Sequence, residues 1–145
     1  MNKTTTIAPQ TRRHMTQWAA QFAVASELCK RGYEVAFTQG NATPLADLMC
    51  VSPETKTMFL IDVKGLFRPS QWMVKDKPAR EGLFYILALV PQGAANQFWV
   101  VPQADINKML AAYRASGIKY LPTHPSSFNW TTPAAFKDRW DILPK

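Results

Sequence analysis

Two aspartates and a lysine stand where the surrounding pattern leaves them no ordinary place. Asp62 interrupts the apolar run Phe59-Leu60-Ile61-Asp62-Val63, and Asp47 interrupts Leu45-Ala46-Asp47-Leu48-Met49. Aspartate is depleted from strands, and a half-buried carboxylate costs free energy unless a cation or hydrogen-bond donors compensate it. Strand alternation puts Asp62 and Lys64 on one face and Ile61 and Val63 on the other, the core face. The polar turn Ser52–Thr57, closed symmetrically, pairs Val51 with Met58 and so sets Asp47 opposite Asp62. Directly opposed residues have Cβ atoms about 4.5–5.5 Å apart, close enough for two like charges to repel. A divalent cation between them removes the repulsion; Mg²⁺ suits the place, since it takes one or two carboxylates and keeps several waters. Lys64 stands beside the pair, one strand repeat on. The competing reading is a salt-bridged surface face in which Lys64 simply neutralises Asp62.

Several elements must position these groups. From about Thr11 to Arg31, Met15, Trp18, Ala19, Phe22, Ser26 and Cys29 recur at helical spacing, and Gly32 supplies a stop. Tyr33, Val35 and Phe37 alternate with polar or small residues as a half-buried strand does, and Gln39–Pro44 reads as a loop. Leu45–Val51 and Met58–Lys64 form a hairpin pattern, and Trp72-Met73-Val74 a short edge strand. Leu83–Val90 and Phe98–Val101 read as further strands. Pro102 opens a helix with the stripe Ile106, Met109, Leu110 and Tyr113, which Gly117 ends. In the Pro- and aromatic-rich end a short helix from Thr132-Pro133 can dock Phe136, Trp140 and Leu143. The expected architecture is α/β, a mixed central sheet flanked by helices: a domain over 1–117 and an aromatic tail over 118–145 packed on it.

In this order of elements, Pro44-Leu45-Ala46-Asp47 followed by Ile61-Asp62-Val63-Lys64 resembles the PD-(D/E)xK, or restriction-endonuclease-like, nuclease superfamily. Ala23-Val24-Ala25-Ser26-Glu27-Leu28 with Arg31-Gly32-Tyr33 is similar to the opening helix of its Holliday-junction-resolvase-like branch, and the likeness covers about residues 15–65. The tail Asp138-Arg139-Trp140-Asp141-Ile142-Leu143-Pro144 looks like that of small uncharacterised proteins with this core. The resemblance implies a restriction-endonuclease-like fold and a DNA endonuclease using Mg²⁺ or Mn²⁺. Asp47, Asp62 and the Val63 carbonyl would be metal ligands, and Lys64 would orient the attacking water. Where many members carry Glu on the first helix, this chain has Gln21, a hydrogen-bonding group beside the site. Glu27 falls on the solvent side.

The 145 residues carry 17 Lys+Arg against 10 Asp+Glu, a formal charge of +7, which favours a polyanionic partner. Five positives, Lys64, Arg68, Lys75, Lys77 and Arg80, gather in one stretch with Asp76 alone opposing them. With Ser70 and Trp72 they form a candidate DNA-binding set: phosphate contacts by the cations, base stacking by Trp72 if it is exposed, or core packing if it is not. Arg12 and Arg13 could extend that face, whereas His14 and His124 have no partner spacing for a metal or a nucleophile relay. Catalytically inactive nucleic-acid binding, and an interaction or defence accessory role through the aromatic tail, are the alternatives; an uncovered aromatic patch would suit a homodimer. The apolar runs are too short to span a membrane, and Cys29 and Cys50 read as buried thiols, which together favour a cytoplasmic protein.

Overall fold

A computed structural model describes residues 6–38, 44–116 and 126–145. The first helix, α1 (Pro9–Lys30), begins with Pro9 in its first turn, where a missing N–H costs nothing. Gly32, with φ of +87°, turns the chain back into β1 (Glu34–Phe37). The hairpin β2 (Leu48–Val51) and β3 (Met58–Leu66) follows, then β4 (Gln71–Met73), β5 (Leu83–Leu89) and β6 (Gln97–Pro102). Helix α2 (Gln103–Ala115), β7 (Ser127–Asn129) and two short 3₁₀ turns complete the described chain. Five strands form a mixed sheet in the order β1-β2-β3-β5-β6, parallel only between β3 and β5, while β4 and β7 pair in a separate ribbon.

The two faces of the sheet carry two cores. On one, Ala20, Val24 and Leu28 of α1 pack on Leu48, Ile61, Val63, Ile86 and Val100, closed by Trp140 and Leu143. On the other, Ile106 and Leu110 of α2 meet Tyr85, Leu87, Trp99 and Val101, together with Trp72 and Phe128 of the ribbon. The protein is therefore an α/β fold, a mixed sheet between two helices, with the C-terminal aromatics built into both layers. Among the described residues, no helix is long and apolar enough to cross a membrane.

Helix α1 forms where its periodicity places it but presents the opposite face. Met15, Trp18 and Phe22, expected inside, are 50%, 55% and 59% exposed, and Cys29 is exposed as well. Phe22 instead contacts Trp18 and Phe37 in an outward aromatic ridge. The reason is the separation of helix and sheet: a Cβ added to Gly65 of β3 would lie 2.8 Å from Ala20 Cβ and 3.1 Å from the Thr16 carbonyl. Backbones this close admit Ala and Val between them and turn the rings outward. Gly65→Ala is accordingly expected to destabilise the fold by about 1–3 kcal/mol. Ala20→Gly should recover part of that loss despite its own helix cost of ~1 kcal/mol. Urea unfolding of the double-mutant cycle measures the coupling, and strictly additive effects would refute the close approach.

Other expectations shift by smaller amounts. Strand β2 begins at Leu48 rather than Leu45, β7 is an additional strand, and the short helix expected from Thr132-Pro133 is a 3₁₀ turn over Ala134–Phe136. Most of the loop over 39–44 and the Gly117 stop lie outside the described residues. Cys50 is buried, as expected, and burial pushes its thiol up to about 12.

Candidate functional site

Strand β3 owes its central role to what its neighbour fails to cover. The pairing runs from Val51↔Met58 to Leu48↔Ile61, the register anticipated from the turn, and there β2 ends. Asp47 therefore does not pair with Asp62 as expected: its amide donates to the Ile61 carbonyl, at 2.9 Å, one residue out of that register. Beyond it, the next outward backbone groups of β3 belong to Val63, and side chains take them. Asp47 Oδ2 accepts the Val63 N–H at 2.7 Å, and Gln17 Nε2 donates to the Val63 carbonyl at 2.8 Å. Gln21, one helical turn after Gln17, donates from Nε2 to Asp47 Oδ1 at 3.2 Å. The buried backbone is thus satisfied by a carboxylate and two amides rather than by a strand.

Asp62 projects to the other side of β3. It is 3% exposed, so it does not lie on a solvated surface, although Lys64 does neutralise it as the competing reading expected. Its Oδ1 lies 2.7 Å from the Lys64 ammonium and its Oδ2 lies 2.6 Å from that of Lys77. The Lys64 contact is an ion pair off the hydrogen-bonding direction, which leaves Oδ1 a buried acceptor with no hydrogen bond. Tyr85 on β5 is the register neighbour of Asp62. Burial, and then the charges of Asp62, Asp47 and Asp76, raise the Tyr85 hydroxyl far above its ordinary value, so the ring stays neutral.

Asp47 responds electrostatically to the same group. Burial raises its carboxyl above the ordinary value; the Val63 N–H opposes this, Asp62 adds to it, and Lys64 and Lys77 oppose it again. With a raised carboxyl the native state holds the proton more tightly than the unfolded chain does. The Asp47 contribution is therefore most favourable at low pH and declines as pH rises from 3.8 through the raised value. Asp47→Asn is expected to gain thermal stability relative to the wild type across that window and to keep the gain at neutral pH. Paired melts between pH 4 and 8 check this; a relative loss with rising pH would mean that the carboxylate is stabilised by the two lysines instead.

All the candidate metal donors are oxygens, which suits a hard divalent cation. Asp62 Oδ1 is a buried acceptor held by the Lys64 charge without a hydrogen bond, and Asp47 offers further lone pairs on both oxygens. Among the described residues no group of three or more His, Cys, Asp or Glu could hold a metal. The Val63 carbonyl is already engaged by Gln17.

The basic stretch divides. Lys77 turns inward to Asp62, and Asp76 pairs with Arg114. Lys75 and Arg80 are exposed on the segment before β5. Arg68 and Ser70 line a groove of about 820 Å³ with Arg12, Arg13, His14 and Gln17. Trp72 is 1% exposed, edge-on to Trp99 and donating to the Trp130 carbonyl, so it belongs to the core and presents no face to a base. Glu27 is half-buried and pairs with Lys30 and Arg31, away from the candidate site. Gln17, Tyr85 and the inward turn of Lys77 escaped the sequence reading. Gln17 carried a signal, since it lies four residues before Gln21 on one helical face; the other two carried none. No family model matches the chain, no curated protein matches it, and no solved structure matches it.

Proposed function

We propose that this chain is a metal-dependent, endonuclease-like protein of the PD-(D/E)xK type that hydrolyses phosphodiester bonds in DNA. One observation carries the reading: Asp62, buried and ion-paired to Lys64, lies within electrostatic range of Asp47, which caps the uncovered edge of β3. Asp47 and Asp62 would hold Mg²⁺ or Mn²⁺, which when bound supplies a water of lowered pKa and polarises a phosphoryl oxygen. Lys64, 31% exposed and tethered by Asp62, is placed to orient the attacking water and offset charge developing on the phosphate. Gln21 orients the Asp47 carboxylate and Gln17 the Val63 carbonyl, and Tyr85 keeps water from the floor of the site. The groove lined by Arg12, Arg13, His14 and Arg68 includes Gln17 and Gly65 but not Asp47, Asp62 or Lys64, and no carboxylate is among its described lining. Such a track suits a sugar–phosphate backbone.

An inactive DNA-binding module is the second reading, favoured by the neutralisation of Asp62 by two lysines. Plasmid and branched DNA incubated with Mg²⁺ or Mn²⁺ separate the two readings, with EDTA and Asp62→Ala as controls. Metal-dependent nicking that disappears in both controls supports the enzyme. Nicking that persists in the variant marks a contaminant, and salt-sensitive binding without cleavage favours the module.

A further inference from the structure

We infer that Lys77 is a built-in counter-cation of the carboxylate site, competing with a divalent metal ion for Asp62. Its ammonium lies 2.6 Å from Asp62 Oδ2, 3.0 Å from the Leu45 carbonyl and 3.2 Å from the Pro44 carbonyl. A carboxylate and two backbone carbonyls therefore converge on one cation and use all three donors of an ammonium. An all-oxygen shell of this kind is equally the environment of a hard divalent ion.

The backbone that delivers Lys77 is held independently of this contact. Gln103 of α2, 2% exposed, donates from Nε2 to the carbonyls of Lys77 and Pro78 and accepts the Arg80 N–H on Oε1. Asn107, one turn on, donates to the Lys77 carbonyl at 3.1 Å. The main chain is clamped while the side chain, 23% exposed, has a path to water past Pro44, Leu45 and Pro78. Lys77 can thus leave Asp62 without unfolding the segment that carries it.

Charge sets the consequence. Asp47 and Asp62 bring two negative charges, and Lys64 and Lys77 bring two positive ones, so the group is formally neutral while Lys77 is seated. Withdrawal of Lys77 leaves the site one charge more negative and frees Asp62 Oδ2 as a ligand. Metal affinity is then set by exchange of an ammonium for a divalent ion rather than by simple entry.

The inference rests on the metal-site reading above, and Mn²⁺ titration followed by electron paramagnetic resonance tests them separately. The full chain is compared with Lys77→Met, Asp62→Asn and the double variant. Lys77→Met is expected to bind Mn²⁺ at least tenfold more tightly than the wild type, with the gain lost in the double variant. Equal affinity in wild type and Lys77→Met, abolished by Asp62→Asn, overturns the competition and leaves the metal site standing. No Mn²⁺ binding in any form overturns both. Should Lys77→Met lose its thermal transition, Lys77→Gln carries the same comparison, since it removes the charge but keeps donors for the Pro44 and Leu45 carbonyls.

Discussion

Asp62→Asn is expected to reduce metal-dependent nicking by about 10³-fold or more while leaving the fold in place. The substitution keeps the shape of the side chain but removes the charge around which the site is organised, and with it one of the two carboxylates proposed to hold the cation. Losing several kcal/mol of transition-state stabilisation, ~4 kcal/mol, corresponds to roughly that factor. The structural cost arises from Lys64 and Lys77, which are left facing each other. Breaking a buried pair costs about 3–5 kcal/mol when the remaining charge stays buried. Here both ammonium groups retain access to water, with 31% and 23% of their side chains exposed, and can swing outward. A loss nearer ~2 kcal/mol is therefore expected, by urea unfolding, with circular dichroism unchanged in native buffer. Undiminished nicking by a folded Asp62→Asn protein would remove Asp62 from the chemistry. The contrast with Asp47→Asn is informative, because that variant should lose activity and gain stability, the opposition expected where a carboxylate is kept for function.

The largest effect on stability is expected from Trp72→Ala, at about 3–5 kcal/mol. The ring fills the layer between the main sheet and the β4–β7 ribbon, 5.6 Å from Trp99 between centroids. Its indole N–H holds the Trp130 carbonyl at 3.3 Å, and β4 pairs Trp72 with Phe128. Removal opens a cavity that neither neighbour can fill without breaking the ribbon. For a chain of this size the loss amounts to a fall in Tm of about 10 °C. Trp72→Phe should lose less, because the packing largely survives while the indole donor does not. DNA binding, measured below the lowered transition and across salt concentrations, should be unaltered by Trp72→Phe. A folded variant with normal Tm and weakened DNA binding would return Trp72 to the interface.

The hairpin register was legible because β-pairing is arithmetic, though Asp47 leaves it before the expected pairing with Asp62. The polar turn Ser52–Thr57 sets Val51 against Met58, and every later pair down to Leu48 and Ile61 follows. The misplaced polarity of Asp47 and Asp62 was equally visible, since a carboxylate within a strand pattern demands a partner wherever the strand lies. Gln21 was placed beside the site by the resemblance alone, and its amide reaches Asp47. The reading of α1 failed differently. Its period was correct, but periodicity does not say which of two apolar stripes faces the sheet. Large rings marked one stripe, Ala20, Val24 and Leu28 the other, and hydrophobicity alone favours the rings.

What the sequence by itself determined is the local physics: the period of each element, the register of the hairpin, and the two carboxylates that need compensation. Only the tertiary structure decided how far apart the layers sit and which distant groups fill the gaps. Gly65 brings β3 against Ala20 and Thr16, and that separation alone turns Met15, Trp18 and Phe22 outward. Lys77 reaches Asp62 because Gln103 and Asn107 on α2 clamp the segment before β5. The same fold buries Trp72 within the basic stretch and separates Arg68 from Lys77. Spacing along a chain encodes neighbours within an element or across one turn. Contacts between layers depend on side-chain volumes and on where each strand stops, and these are set by the packed whole.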